Sequence, residues 1–153
     1  MLLTIEKALI LRTASLFETT PDEVLAQVAR LVEEVHLQAG ESVFQKGDFG
    51  DSLYIIVEGK VRVHDRDVFF NYLQDRDLFG EMAVLEPEPR SASVTAETDT
   101  HLLRLGRDAL FELIDARPEV AHGIIRGLSG HLRNRLQDIT SLRDQLDQLQ
   151  TDA

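Results

Sequence analysis

The sequence predicts an α+β fold that is mainly β, an antiparallel roll of short strands with helices before it and one long helix after it. Three observations predict it. Short runs rich in Val, Ile, Leu, Phe and Tyr, punctuated by Gly and Asp, fill the middle of the chain. A helix-start signal with helix-period apolar residues precedes them. An apolar repeat of alternating three- and four-residue steps, from Ile125 to Leu149, follows them.

Residues 1–33 form the N-terminal helical segment. Leu2, Leu3, Ile5, Leu9 and Ile10 are expected to make one apolar side of a first short helix. Thr20-Pro21-Asp22-Glu23 reads as the next helix start, with Thr20 as N-cap, Pro21 at the first helical position and Glu23 closing a capping box. Val24, Leu25, Val28, Leu31 and Val32 then recur at helical spacing. Residues 34–106 form the roll. Its strand runs are Val43-Phe44, Leu53 to Val57, Val61 to Val63, Val68 to Leu73, Ser93 to Ala96 and Leu102 to Leu105. Gly40, Gly47, Gly50 and Gly59 fall where strands must turn, and glycine tolerates the positive φ such turns need.

Residues 107–150 are helical again. Asp108 to Ile114 predicts a short helix, and Pro118 starts a long one that runs to about Leu149. Along it Ile125, Leu128, Leu132, Ile139, Leu142, Leu146 and Leu149 make a near-heptad seam, interrupted by Arg135 with Leu136 beside it. Such a seam either lies on the chain's own roll or pairs with another helix. The first is expected before about residue 128 and the second after it, giving a homodimer through the C-terminal helix.

Sixteen basic residues against 27 acidic ones give the 153-residue chain a net charge of −11. That field repels nucleic acid and anionic membrane, so neither is an expected partner. There is no cysteine, which excludes a disulfide framework, a thiolate nucleophile and cysteine-based metal sites. The most apolar N-terminal stretch, Met1 to Leu11, is broken by Glu6 and Lys7, is too short to span a bilayer and lacks secretory-signal features. A cytoplasmic location is the expectation. His36, His64, His101, His122 and His131 show no paired spacing, so neither a metal-ligand set nor an enzyme of the cupin type is expected.

The chemistry concentrates between Leu78 and Ala96. A strand ends at Phe79, and Gly80 lets the backbone turn close to a ligand. Glu81 to Leu85 can form one helical turn whose first amides point at whatever precedes it, a natural phosphate site. Arg90 offers a guanidinium suited to bidentate phosphate contact, and Ser91 a hydroxyl and an amide. Glu81 can accept only, which suits a sugar hydroxyl. One anion beside one carboxylate describes a ribose phosphate, although Gly-Glu turns and a nearby Arg also occur in ordinary loops.

This segment resembles the phosphate-binding cassette of the cyclic nucleotide-binding domain family in Gly80-Glu81, the small Ala83, Arg90-Ser91-Ala92 and Val94. A second stretch, Val43 to Gly59, resembles that family's glycine-punctuated hairpin. The likeness covers roughly residues 10–140 and is nearest to the bacterial catabolite activator type, including Asn71-Tyr72-Leu73, Leu128-Ser129 and Arg135-Leu136-Gln137. It implies an eight-stranded β-roll of the jelly-roll type with its cassette at 79–92. It also implies a non-enzymatic regulatory module that needs no cofactor. The ligand it implies is cyclic AMP or cyclic GMP: Ser91 after the Arg occurs with cyclic AMP binders of the activator type, and a hydroxyl there can also serve a guanine 2-amino group.

In that family's terms Arg90 pairs with the cyclic phosphate and Glu81 takes the ribose 2′-hydroxyl. Gly80, Met82, Ala83, Ser91 and Ala92 line the phosphate. Phe70 and Asn71 flank the base, Thr140 approaches it from the long helix, and Val61 with Val63 form either an apolar wall or ordinary core. The chain departs from the pattern at Glu86-Pro87-Glu88-Pro89, where relatives usually have Gly, and at Arg76, where they often do. No winged helix-turn-helix follows the long helix within these residues, so a lone receptor module or the receptor end of a longer protein is expected. The rival reading is a ligand-free roll that dimerises or docks a partner.

Overall fold

The computed structural model describes residues 1–151, apart from the side chains of Ser15, His131 and Arg135. The apolar runs are strands: β2 (Ser42–Phe44), β4 (Ser52–Glu58), β5 (Lys60–Asp65), β6 (Val68–Gln74), β9 (Ser93–Ala96) and β10 (Thr100–Gly106). Four further strands complete the set: β1 (Glu33–Leu37), β3 (Phe49–Gly50), β7 (Leu78–Phe79) and β8 (Glu88–Pro89). They form two four-stranded antiparallel sheets, ordered β1-β10-β4-β7 and β2-β9-β5-β6, with β3 and β8 paired by themselves.

One sheet is buried on both faces, which is why β4 reads as a continuous apolar run rather than an alternating one. Leu53 and Ile55 of β4, with Leu103 and Leu105 of β10, face the helices. Ile56 and Leu102 face the second sheet and pack with Val61, Phe79 and Val94. Every one of these is at most 7% exposed, so each contributes roughly 1.5–3 kcal/mol of hydrophobic stabilisation.

The helices are α1 (Thr4–Thr13), a 3₁₀ turn at Ser15–Phe17, α2 (Asp22–Leu31), α3 (Glu81–Leu85), α4 (Arg107–Ala116) and α5 (Glu119–Thr151). Two local expectations are corrected. The apolar side assigned to the first helix is mostly solvent-facing: Leu3, Ile5 and Leu9 are exposed, and Ile10 with Leu11 does the packing. The second helix starts one residue later than its capping signal suggests. Pro21, in extended conformation, holds the N-cap position with no side-chain cap, and Thr20 is buried. The Thr20 carbonyl accepts a bond from Arg12 Nη1 at 2.5 Å, which fastens this corner in place of a capping box.

The expected positive φ occurs at Gly40, Gly47 and Gly59 but not at Gly50. Arg76 turns left-handed at φ +73°, a backbone conformation that glycine adopts more readily.

The long helix changes from packed to exposed near Leu128. Val120 and Ile124 are buried and Leu128 packs partly against the core, whereas Ile125 is 61% exposed. Beyond Leu128, the residues Leu132, Leu136, Ile139, Leu142, Leu146 and Leu149 are all exposed. Arg135, read as the interruption of that seam, has its side chain outside the described residues. No described helix is long and apolar enough to cross a membrane.

The helix is seated at Gly127, where a Cβ would lie 2.7 Å from both the Cα and the carbonyl oxygen of Leu16. Gly127→Val is therefore expected to lower unfolding stability by about 1–3 kcal/mol, as overpacking against backbone does. Urea denaturation checks this, and an unchanged midpoint would refute the seat.

Candidate anion-binding site

β7 ends at Phe79, and the chain turns at Gly80 with φ +81° before entering α3. After α3 the prolines keep the chain extended as β8, which pairs with β3 through Phe49↔Pro89 and Gly50↔Glu88. The Arg90 amide donates to the Asp48 carbonyl at 2.7 Å, and the Gly47 amide donates to the Arg90 carbonyl at 2.9 Å. The glycine-punctuated hairpin and the cassette, forty residues apart in the sequence, are thus a single hydrogen-bonded unit. Its product is a fixed backbone at Arg90.

The Arg90 side chain is drawn inward and is only 8% exposed. Its Nη2 donates to the Ser52 carbonyl at 2.9 Å. Its guanidinium lies 4.1 Å from the centre of the Phe44 ring, a cation–π contact. Phe44 in turn packs against Tyr54 and Phe79, whose own rings stack at 5.2 Å. Glycine makes the room. A Cβ at Gly50 would sit 2.1 Å from Arg90 Nε, and one at Gly80 would sit 2.9 Å from Nη1. Gly50 is required here by close approach and not by φ.

Burial depresses the basicity of Arg90, opposed chiefly by Tyr54 and Asp51. An arginine so placed remains a cation. The carbonyl and the ring in contact with it are neutral, Asp51 and Asp48 favour its charge from nearby, and a guanidinium is a natural hydrogen-bonding partner for an anion.

A cavity of about 280 Å³ opens there, near the lower end of the ~300–1,000 Å³ usual for small-molecule sites. It brings together Gly80, Glu81, Met82, Ala83, Arg90, Ser91 and Ala92, and also Asn71. Glu81 and Arg90 therefore both line one space. The Ala83 amide donates to the Gly80 carbonyl at 3.2 Å, closing the turn.

Val61, Phe70 and Thr140, expected at the base, are not among the residues that line this cavity. Val61 is fully buried in the inter-sheet core, and Val63, its i+2 neighbour, lines the cavity instead. The register explains the split: Val63 stands opposite Asn71, which faces the opening, whereas Val61 stands deeper between Leu73 and Ala96. Phe70 is 52% exposed because it alternates with Asn71 and points to the other face of β6. Thr140 lies on α5, roughly 18 Å of helix beyond Leu128, with its hydroxyl donating to the Leu136 carbonyl at 3.0 Å.

Phe44 escapes a reading of the sequence, where it is one more strand apolar. Only its seat beneath Arg90 sets it apart. The ring current of Phe44 acts on the Arg90 Nε–H in this arrangement. Phe44→Leu and Gly50→Ala are both expected to move that resonance toward the ordinary arginine position, the first by removing the ring and the second by expelling the guanidinium. Nitrogen–proton correlation spectra read this directly, and an unmoved signal in both variants contradicts the stacked geometry.

Residues 34–117 match the cyclic nucleotide-binding domain family. Among curated relatives, the chain is 31% identical over 138 residues to a CRP-like cAMP-activated global transcriptional regulator of Mycobacterium tuberculosis, covering 87% of this chain and 62% of that protein. It is 36% identical over 118 residues to the Cyclic AMP receptor protein of Thermus thermophilus, covering 74% of this chain and 54% of that one. The chain thus spans about three-fifths of the length of these relatives. Among solved structures, the N-terminal domain of a transcriptional regulator from Streptomyces coelicolor A3(2) superposes with a TM-score of 0.76 at 35% identity, covering 84% of this chain and 93% of that one. The regulatory domain of Toxoplasma gondii PKA, crystallised with cAMP, superposes with a TM-score of 0.66 at 29% identity, covering 76% of this chain and 46% of that one. With its roll, its glycine-punctuated hairpin and its cassette all in place, the chain belongs to the cyclic nucleotide-binding domain family.

Proposed function

We propose that this domain binds a cyclic nucleotide, cyclic AMP before cyclic GMP, and passes its occupancy to α5. The observation that carries the reading is the buried Arg90 cation facing a cavity it shares with Glu81. Arg90 takes the cyclic phosphate, aided by Ser91 and the backbone of Gly80, Met82, Ala83 and Ala92. Glu81 accepts from the ribose 2′-hydroxyl. Asn71 and Val63 meet the base. Among these relatives cyclic AMP is named more often than cyclic GMP, which a cGMP-dependent protein kinase of Eimeria tenella carries in its name.

Arg90→Leu removes charge-assisted hydrogen bonds worth about 1.5–3 kcal/mol or more, or a loss of roughly 10–150-fold in affinity. Calorimetry on a variant with an intact far-UV spectrum is expected to show at least that loss. Unchanged affinity sinks the assignment. Thermal unfolding with each nucleotide ranks them, since a ligand present at 100 times its Kd stabilises the folded state by about 2.7 kcal/mol.

Transmission rests on α5, because a ligand shifts an equilibrium only by its differential affinity for the two states. The exposed seam from Leu132 to Leu149 fits pairing with a second copy, which brings another long helix, and with it Thr140, toward the bases. Truncation after Leu128 is expected to convert a dimer to a monomer in sedimentation. A full-length chain that sediments as a monomer at micromolar concentration contradicts pairing through this helix.

A further inference from the structure

A second cluster of chemistry-bearing side chains lies away from the nucleotide cavity and shares no lining residue with it. His36 and His101 are separated by most of the roll in the sequence, yet the antiparallel pairing of β1 with β10 sets them directly opposite one another. Their rings stack with centroids 4.1 Å apart at 18°. Glu34 lies two residues before His36 and so shares its face of the strand. His101 Nε2 and Glu34 Oε1 are 3.0 Å apart. The Leu2 amide lies 3.2 Å from both carboxylate oxygens of Glu34. One ligand atom from each of the three residues falls within 4.8 Å of the others.

We propose that Glu34, His36 and His101 form a site for a divalent first-row transition ion, zinc foremost, with a coordination position left open to solvent. Three protein donors, two imidazoles and one carboxylate, plus one open position make up a donor set that zinc uses. Hard cations such as magnesium and calcium want more oxygen than a single carboxylate provides.

The metric fit is close. Two donors on a tetrahedral ion, at Zn–N and Zn–O distances of about 2.0–2.2 Å, stand ~3.3 Å apart. The His101–Glu34 pair already stands at 3.0 Å, so the ion takes the place of the hydrogen between them with little movement. His101 then presents Nε2 as a lone pair and keeps its proton on Nδ1. His36 closes the third side by turning one ring nitrogen inward from the stack. The Glu34 and His101 side chains are 13% and 19% exposed, so two of the donors are held by packing. The Leu2 amide orients the carboxylate, the kind of outer contact that fixes metal ligands. His36 is exposed at the rim and gives the ion its way in. His36 and His101 border a surface depression that also carries Glu58 and Asp99, whose charges attract a cation.

The test is calorimetric titration of the metal-free full chain with zinc chloride, with no nucleotide present, and cobalt(II) substitution read by visible absorption. One ion per chain and tetrahedral cobalt bands are expected. His36→Ala and His101→Ala are each expected to weaken zinc binding by at least the ~10–100-fold that losing an outer-shell partner alone costs. Because His36 is exposed, its removal leaves the fold intact and keeps the comparison clean. His64→Ala, outside the cluster, and Arg90→Leu, in the nucleotide cavity, are expected to bind zinc like the parent. The second control separates this proposal from the nucleotide reading. Absence of saturable zinc uptake, equal uptake by His36→Ala, or magnesium bound as tightly as zinc overturns it.

Discussion

The site depends on one buried cation. Arg90 is held at its backbone by the turn at Gly47-Asp48 and at its side chain by the Ser52 carbonyl and the Phe44 ring. Those contacts fix a long side chain that would otherwise lose roughly 1.5–2 kcal/mol of rotamer freedom on meeting a ligand. That ordering cost has been met in folding. The Ser52 carbonyl takes one of the five N–H donors of the fork. The whole β3–β8 arrangement makes sense as the frame of this one group. Gly50 and Gly80 are missing side chains as much as flexible residues, because their Cβ positions are occupied by the guanidinium.

The chain's overall charge works against its own site. At −11 the protein repels an approaching anion at long range. At physiological ionic strength that field fades over about 8 Å, whereas the Arg90 charge acts at contact. The two charges therefore act over different ranges, and at contact distance the local cation outweighs the screened field of the whole chain.

Much of this was legible in the residues. Six strand runs and the one-turn helix at Glu81–Leu85 follow from apolar runs and a glycine, whereas the cassette was read from its resemblance to the family. What was not legible depends on register. Val61 and Val63 share a strand face, and only their cross-strand partners tell which one reaches the opening. Phe44 beneath Arg90 and His36 against His101 are contacts between strands far apart in the chain, and a single sequence does not carry such pairings. β1 was missed because Glu33-Glu34-Val35-His36-Leu37 has too few apolar residues to stand out, and its place is set by pairing with β10. The capping signal at Thr20 failed for a local reason: Arg12 already fastens the corner through the Thr20 carbonyl.

The last feature to weigh is the reach of α5. Past Leu128 the leucine row is exposed among the described residues, and in proteins most helical stability comes from packing such an apolar face. A leucine row left in water is apolar surface whose burial is worth about 25 cal/mol per Å², so whatever comes to cover it carries the free energy that orders the far end of the helix.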